Sequence, residues 1–190
     1  MALTLEKGGS TSLAKAGESL SKLLVGLGWD ENRSAGPDFD LDASAFGLRS
    51  GKVISEDWFV FYNQLQSPSN AIVHMGDNTT GAGDGDDEEI LVDVSQMHPA
   101  IDTIAITVSI HKADVRRQNF GHVSNAYIRV VNELTGEEIV RYNLTDEASM
   151  ETAVLIGELY KQDGAWNFRA VGKPYAGGLF EIATQFGIKF

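Results

Sequence analysis

At 190 residues, with a net charge of −12 and no cysteine, the chain is long enough for one domain with its own core, and disulfides, thiolate catalysis and cysteine–zinc sites are excluded. The acidity is not offset by any basic stripe, which argues against nucleic-acid phosphate as a partner. No apolar run approaches the ~20 residues needed to cross a bilayer, so no transmembrane segment is expected.

The opening Met-Ala-Leu-Thr-Leu-Glu-Lys lacks the basic start and apolar stretch of a signal peptide, which makes the cytoplasm the expected address. Peripheral attachment to a membrane stays open. Leu3–Leu5 reads as a short strand, and Leu23-Leu-Val-Gly-Leu-Gly-Trp29 as a buried one, too short and glycine-rich for a helix. Asp38–Phe46 alternates acidic and apolar residues, as a strand would. Trp58–Tyr62, Ala71–Met75 and Ile90–Val94 are rich in β-branched or aromatic residues. Thr103–Ile110 has the period of a half-buried strand. Ala113–Phe120 predicts a short helix stopped by Gly121. Ala126–Val131 and Glu138–Tyr142 form a hairpin through Asn132-Glu-Leu-Thr-Gly136. Thr145-Asp-Glu supplies a capping hydroxyl and first-turn acids, which predicts a helix. Ala148, Leu155 and Leu159 would share its stripe, and Gly164 follows its end. Ala165–Val171 is a last strand and Gly178–Phe186 a terminal helix. About ten strands and few helices predict a mainly β chain, a two-sheet β-sandwich with peripheral helices, forming one unit over residues 1–190.

The charge is local. Between Lys52 and Lys112 there is no Lys or Arg and ten acids, which account for most of the net −12. They concentrate in Asp77-Asn-Thr-Thr-Gly-Ala-Gly-Asp-Gly-Asp-Asp-Glu-Glu89, flanked by apolar strands rather than by more polar chain. A second acidic element is Asp38-Phe-Asp-Leu-Asp42. On a strand Asp38, Asp40 and Asp42 would line one face while Phe39 and Leu41 enter the core. Three aspartates on one face of a strand call for a counter-charge; a solvated edge strand is the alternative. Neither element fits an EF-hand, whose sixth and twelfth positions would fall on Ala43 and Arg49, or on Ala82 for the later loop. A site would therefore be assembled from separate segments.

Calcium takes six to eight oxygens in flexible geometry, and the supply here suits one or two such ions better than magnesium. Candidate ligands are Asp38, Asp40, Asp42, Asp77, Asn78, Asp84, Asp86, Asp87 and Glu88, with Gly83 offering a backbone carbonyl. Asp30 and Asn63, each at a strand end, would complete the site or serve as turn residues. Zinc or copper would want more than His74 nearby. His111 and His122, flanking Arg116-Arg117, read as a small anion site or a solvated helix face. Gly172–Gly178 lacks the Walker spacing of a phosphate loop. Catalysis has little support, since no nucleophile elbow or triad spacing is present.

The chain resembles the TerD family of tellurium-resistance and general stress proteins. The resemblance rests on Leu24-Val-Gly-Leu-Gly-Trp-Asp30, the two acidic elements, Phe61-Tyr-Asn63, Ile110–Gly121, Gly157-Glu-Leu-Tyr160 and Trp166–Gly172, and it runs from the first residues to about Ile188. It implies a β-sandwich holding two calcium ions near one end through the two acidic motifs. It also implies a cytoplasmic role in tellurite and stress resistance without established catalysis, alongside related stress proteins and a membrane partner. Three functions follow as expectations: a non-enzymatic calcium-binding stress protein, a calcium-dependent adaptor for a protein, membrane surface or anionic ligand, and a metal-dependent hydrolase.

Overall fold

The structure is a computed structural model that describes residues 3–4, 9–12, 21–33 and 35–190. Leu5 and most of the opening segment read for a signal peptide lie outside the described residues. In chain order the strands are β1 (Leu3–Thr4), β2 (Ser10–Ser12), β3 (Lys22–Gly28), β4 (Leu41–Arg49), β5 (Lys52–Val53), β6 (Phe59–Val60), β7 (Ile72–His74), β8 (Glu88–Asp93) and β9 (Thr103–Ile110). Helix α1 (Ala113–Arg116) follows, then β10 (Tyr127–Asn132), β11 (Glu138–Asn143), α2 (Leu144–Glu147), β12 (Ala153–Gln162), β13 (Ala165–Pro174) and α3 (Gly178–Gln185).

Two sheets form a β-sandwich. One has the order β1-β11-β10-β3-β8-β7, the other β2-β13-β12-β9-β4-β5 with β6 also on β4. All pairings are antiparallel except β1 on β11. Alternation sorts the side chains. Leu23, Val25 and Leu27 of β3 meet Leu41, Ala43 and Ala45 of β4 and Ile104, Ile106 and Val108 of β9 in the core between the sheets. The other face of β4 and β9 is also covered. There Phe46, Leu48 and Ala105 pack under Ile182, Ala183 and Phe186 from α3 and the residue that follows it. At β4 and β9 the second sheet is thus buried on both faces, and β9 is buried at every position after Thr103 rather than half-buried. Its alternation had suggested one wet face; α3 removes that water.

The remaining elements fall near their expected places, with three differences. The helix expected from Thr145 is only the single turn α2, and the residues after it form β12. Leu155 and Leu159, four apart, fit a helix or a strand. Their neighbours Val154 and Ile156 are buried too, which suits a strand inside a three-layer stack. The helix from Ala113 stops at Arg116, because Arg117 adopts a left-handed conformation with φ 54°. Trp58–Tyr62 contributes only the short β6, its Trp58 closing a 3-10 turn. Among the described residues no helix is long and apolar enough to cross a membrane.

A bulge in β12 between Leu155 and Gly157 shifts its register against both β9 and β13. It brings Leu159 into the core that Val154 and Ile156 already enter. At Gly157 a Cβ would lie 2.3 Å from Phe168 Cζ and 2.7 Å from the Arg169 carbonyl oxygen. The ring and backbone of a buried strand cannot step aside freely. Gly157→Ala should therefore destabilise the fold by roughly 1–3 kcal/mol, read as a lowered urea midpoint; an unchanged midpoint would show that the bulge absorbs a methyl group.

Candidate metal centre

The chain enters β4 through extended residues pinned from the neighbouring strand, where the His111 N–H donates to the Asp40 carbonyl oxygen at 2.8 Å. This extends the β4–β9 pairing by one step, so Asp40 and Asp42 share a face while Phe39 and Leu41 are buried in the core. Asp77 arrives from the loop between β7 and β8. One carboxylate oxygen from each of Asp40, Asp42 and Asp77 lies within 4.8 Å of the other two. Asp40 and Asp42 are only 6% and 3% exposed; Asp77 is exposed.

Charges at such distances repel by about 3 kcal/mol per pair at a surface-like dielectric. Two basic side chains reach the group from outside the acidic run. Arg116 Nη1 is 3.2 Å from Asp40 Oδ2, and His111 Nδ1 is 3.7 Å from Asp42 Oδ2. They do not balance it. Burial, with Glu88, Asp40 and Asp77 adding repulsion in that order, pushes the Asp42 carboxyl up to about 8. Asp40 is raised as well, burial outweighing His111 and Arg116. The same field reaches the Tyr62 hydroxyl, raised by burial and then by Asp42, Asp77 and Asp40.

The donor set fits a hard cation. It is three carboxylates with one imidazole at its edge, so oxygen dominates and the nitrogen or sulfur ligands favoured by zinc and copper are lacking. Two carboxylates come from one sheet and the third from a loop on the other. A cation among them would join the sheets at this end.

The other predicted residues divide by what they touch. Glu88 is 1% exposed and clips β8 to β4. Its Oε2 accepts from the Ala43 N–H at 2.8 Å and its Oε1 from the Asn78 N–H at 3.3 Å. Burial raises its pKa, opposed by His74, whose Nε2 lies 3.4 Å away. Asp86 is neutralised by a protein cation. Arg129 Nε and Nη2 donate to its two oxygens at 2.8–3.0 Å, and the Tyr127 hydroxyl donates at 2.8 Å. This carboxylate lies flat on β3, where a Cβ at Gly26 would be 2.0 Å from Asp86 Oδ2. Asp86 is a salt-bridge partner first.

Asp87 accepts from the Trp29 N–H at 2.9 Å and from Asn78 Nδ2 at 3.0 Å. Its pKa is raised, mainly by burial and further by Asp86, Asp30 and Glu31, against the lowering Trp29 bond. Asn78 organises the loop, its Oδ1 accepting from the Thr80 and Gly81 N–H groups at 3.1 and 3.0 Å. Asp30, Gly83 and Asp84 line an open cleft of about 460 Å³ with Asn125 and Tyr127. Asn125 Nδ2 donates to Asp30 Oδ2 at 2.8 Å.

Asp38 and Asn63 are not brought to the cluster of three. Asp38 is exposed and precedes β4, its carbonyl oxygen held by Gln118 Nε2 at 3.1 Å. The segment behind Pro37 is thus fastened by a side chain and not by a ladder, so strand alternation does not reach Asp38. Asn63 sits at an exposed turn closed by the reciprocal backbone bonds of Phe61 and Gln64. In the sequence His111 and His122, flanking Arg116-Arg117, read as an anion site or a solvated helix face, and nothing there points to Arg129 or Tyr127; the structure sets His111, Arg116, Arg129 and Tyr127 against carboxylates. All four answer carboxylates distant in sequence, so nothing local announces them.

The TerD domain family model matches residues 1–186. The chain is 52% identical over 189 residues to the tellurium resistance protein TerD of Serratia marcescens, covering 99% of this chain and 98% of that protein. It is 50% identical over 191 residues to general stress protein 16U of Bacillus subtilis (strain 168), covering 100% and 99%. A crystal structure of a homologue of a telluride resistance protein from Streptomyces coelicolor A3(2) superposes with a TM-score of 0.76 at 25% identity, over 90% of this chain and all of that one.

Two outcomes follow from the electrostatics. Asp42 has a folded-state pKa raised above its unfolded value near 3.9, so its contribution is fully present below that value and lost as pH rises toward about 8. In chelator the melting temperature should fall between pH 5.5 and 8, and Asp42→Asn should flatten the slope; a wild-type temperature that rises across this window contradicts the assignment. Arg129→Ala should cost about 2–3 kcal/mol in urea unfolding, less than the 3–5 of a fully buried pair, because the guanidinium is 30% exposed.

Proposed function

Because this chain belongs to the TerD domain family of tellurium resistance and general stress proteins, we propose that it acts as a non-catalytic calcium-binding stress protein. The observation that carries the reading is the approach of Asp40, Asp42 and Asp77 within 4.8 Å, two of them buried. Calcium there would relieve the repulsion and tie the start of β4 to the β7–β8 loop. Asp30, Asp84 and Asp87, with the Gly83 carbonyl, are the proposed place for a second ion. The remaining positions of a six-to-eight-coordinate ion are left to water or to a ligand.

A cytoplasmic address, protein partners among related stress proteins and a membrane partner belong to the same proposal. A second reading, a calcium-dependent adaptor for an anionic ligand, is favoured by the open cleft of about 330 Å³ whose lining includes Asp42.

A ligand that binds only the folded state stabilises it by about 2.7 kcal/mol at a hundredfold excess over its dissociation constant. For a domain of this size that is roughly 5–10 °C in melting temperature. Calcium should therefore raise the melting temperature relative to chelator by about this amount, and Asp40→Asn with Asp42→Asn should remove most of the rise. Identical transitions in calcium and in chelator would sink the proposal. Calorimetric titration into chelated protein should give two ions per chain, and one in the double variant.

A further inference from the structure

On the outer face of the second sheet, Asp42 pairs across the strands with Ser109, and Ser44 with Thr107. These four polar side chains form a block beside apolar Phe46, Ala105 and Leu155. Ser44 and Thr107 are fully buried, and neither hydroxyl has a hydrogen-bond partner among the described residues. Buried hydroxyls are normally paired, so such a block calls for an explanation beyond packing.

The block opens at Asp42 and Ser109 into the cleft of about 330 Å³, a volume within the range of small-ligand sites. Its lining is mixed in character. His111 and Lys112 line it together with Leu179 and Phe180 from the first turn of α3. Phe180 is 61% exposed and packs against Phe190, itself 75% exposed, with ring centroids 4.6 Å apart. Polar groups, a lysine ammonium and one ring of an exposed aromatic pair in one lining suit a ligand with a charged head and an apolar body.

The sign of the head follows from the charges. Asp42 and Asp114 line the cleft with Lys112 and His111, and Asp40 and Asp77 lie beside Asp42. Alone this surface repels an anion. A divalent cation on the three aspartates would offset most of that repulsion, and a hard cation so held accepts further anionic oxygen directly. The amide of Gly177, just before α3, is not the anchor, since it already donates to Glu181 Oε2 at 2.8 Å. We propose that this cleft binds a small organic phosphate, its head between the metal cluster and the His111–Lys112 pair and its body against Leu179 and Phe180. The proposal rests on the calcium reading, and it makes binding conditional on both species. Calcium and phosphate then tighten each other's binding by the same factor.

The test uses the full chain. Calcium is titrated alone first; phenyl phosphate and inorganic phosphate are then titrated into calcium-loaded and into chelated protein. Phenyl phosphate should bind one per chain with calcium and not detectably in chelator. Its affinity should exceed that of inorganic phosphate by about tenfold, the worth of partly burying a ring. Phe180→Ala should erase that preference and leave inorganic phosphate unchanged. Lys112→Gln should weaken both by about tenfold. If calcium alone does not bind, the metal reading fails. Calcium binding without phenyl phosphate binding, or equal phosphate binding in chelator, overturns this proposal alone. Vesicles of phosphatidic acid that displace phenyl phosphate would assign the head to a lipid; failure to displace it would assign it to a soluble ester.

Discussion

The mutual repulsion of carboxylates drawn out of water at one end of the sandwich governs this molecule's chemistry. Asp40 and Asp42 are buried because the strand they open lies against β9 in a sheet whose inner face is packed on the core. Phe39 and Leu41 must enter the core, and alternation carries the aspartates with them to the opposite side. The apolar residues therefore hold the acids in place. An exposed acidic loop would swing apart; here only Asp77 has that freedom.

The chain answers its acidity in two ways a short distance apart. At Asp86 the answer is internal, a bidentate guanidinium from β10 lying over a strand made flat by Gly26. At Asp40, Asp42 and Asp77 it is incomplete, because Arg116 meets one carboxylate and His111 stands off another. The contrast separates an acid neutralised inside the protein from acids that are not. The count of acids does not distinguish them. What does is whether a protein cation sits in the register position across the strand, as Arg129 does opposite Gly26.

Much of this was legible in the sequence, and for physical reasons. The sandwich showed through period-two patterns and glycine-punctuated turns. Asp40 and Asp42 were legible because they alternate with Phe39 and Leu41. Asp38, written in the same pattern, was not separable from them, since its release depends on Gln118 holding the chain behind Pro37. The Asp86–Arg129 pair and the Asp42–His111 approach join residues more than forty and sixty positions apart, and no local rule couples them. Around Leu155 the four-residue spacing answered two periods at once. The bulge beside Gly157 and the cover of α3 decided it, and both are tertiary facts.

Helix α3 has a further consequence for how the molecule comes to exist in a cell. It supplies the roof over the outer face of β4 and β9 and an aromatic part of the cleft, yet it leaves the ribosome only after every strand of the sheet it covers. Until it emerges, Phe46, Leu48 and the unpaired hydroxyls of Ser44 and Thr107 face water on strands already able to pair. The nascent sheet is then two-layered and sticky on its unfinished side. The three aspartates come from elements made before that moment, but the cleft beside them needs α3. A chain stalled before residue 178 would thus present the charge of Asp40, Asp42 and Asp77 without the cleft that Leu179 and Phe180 help to line.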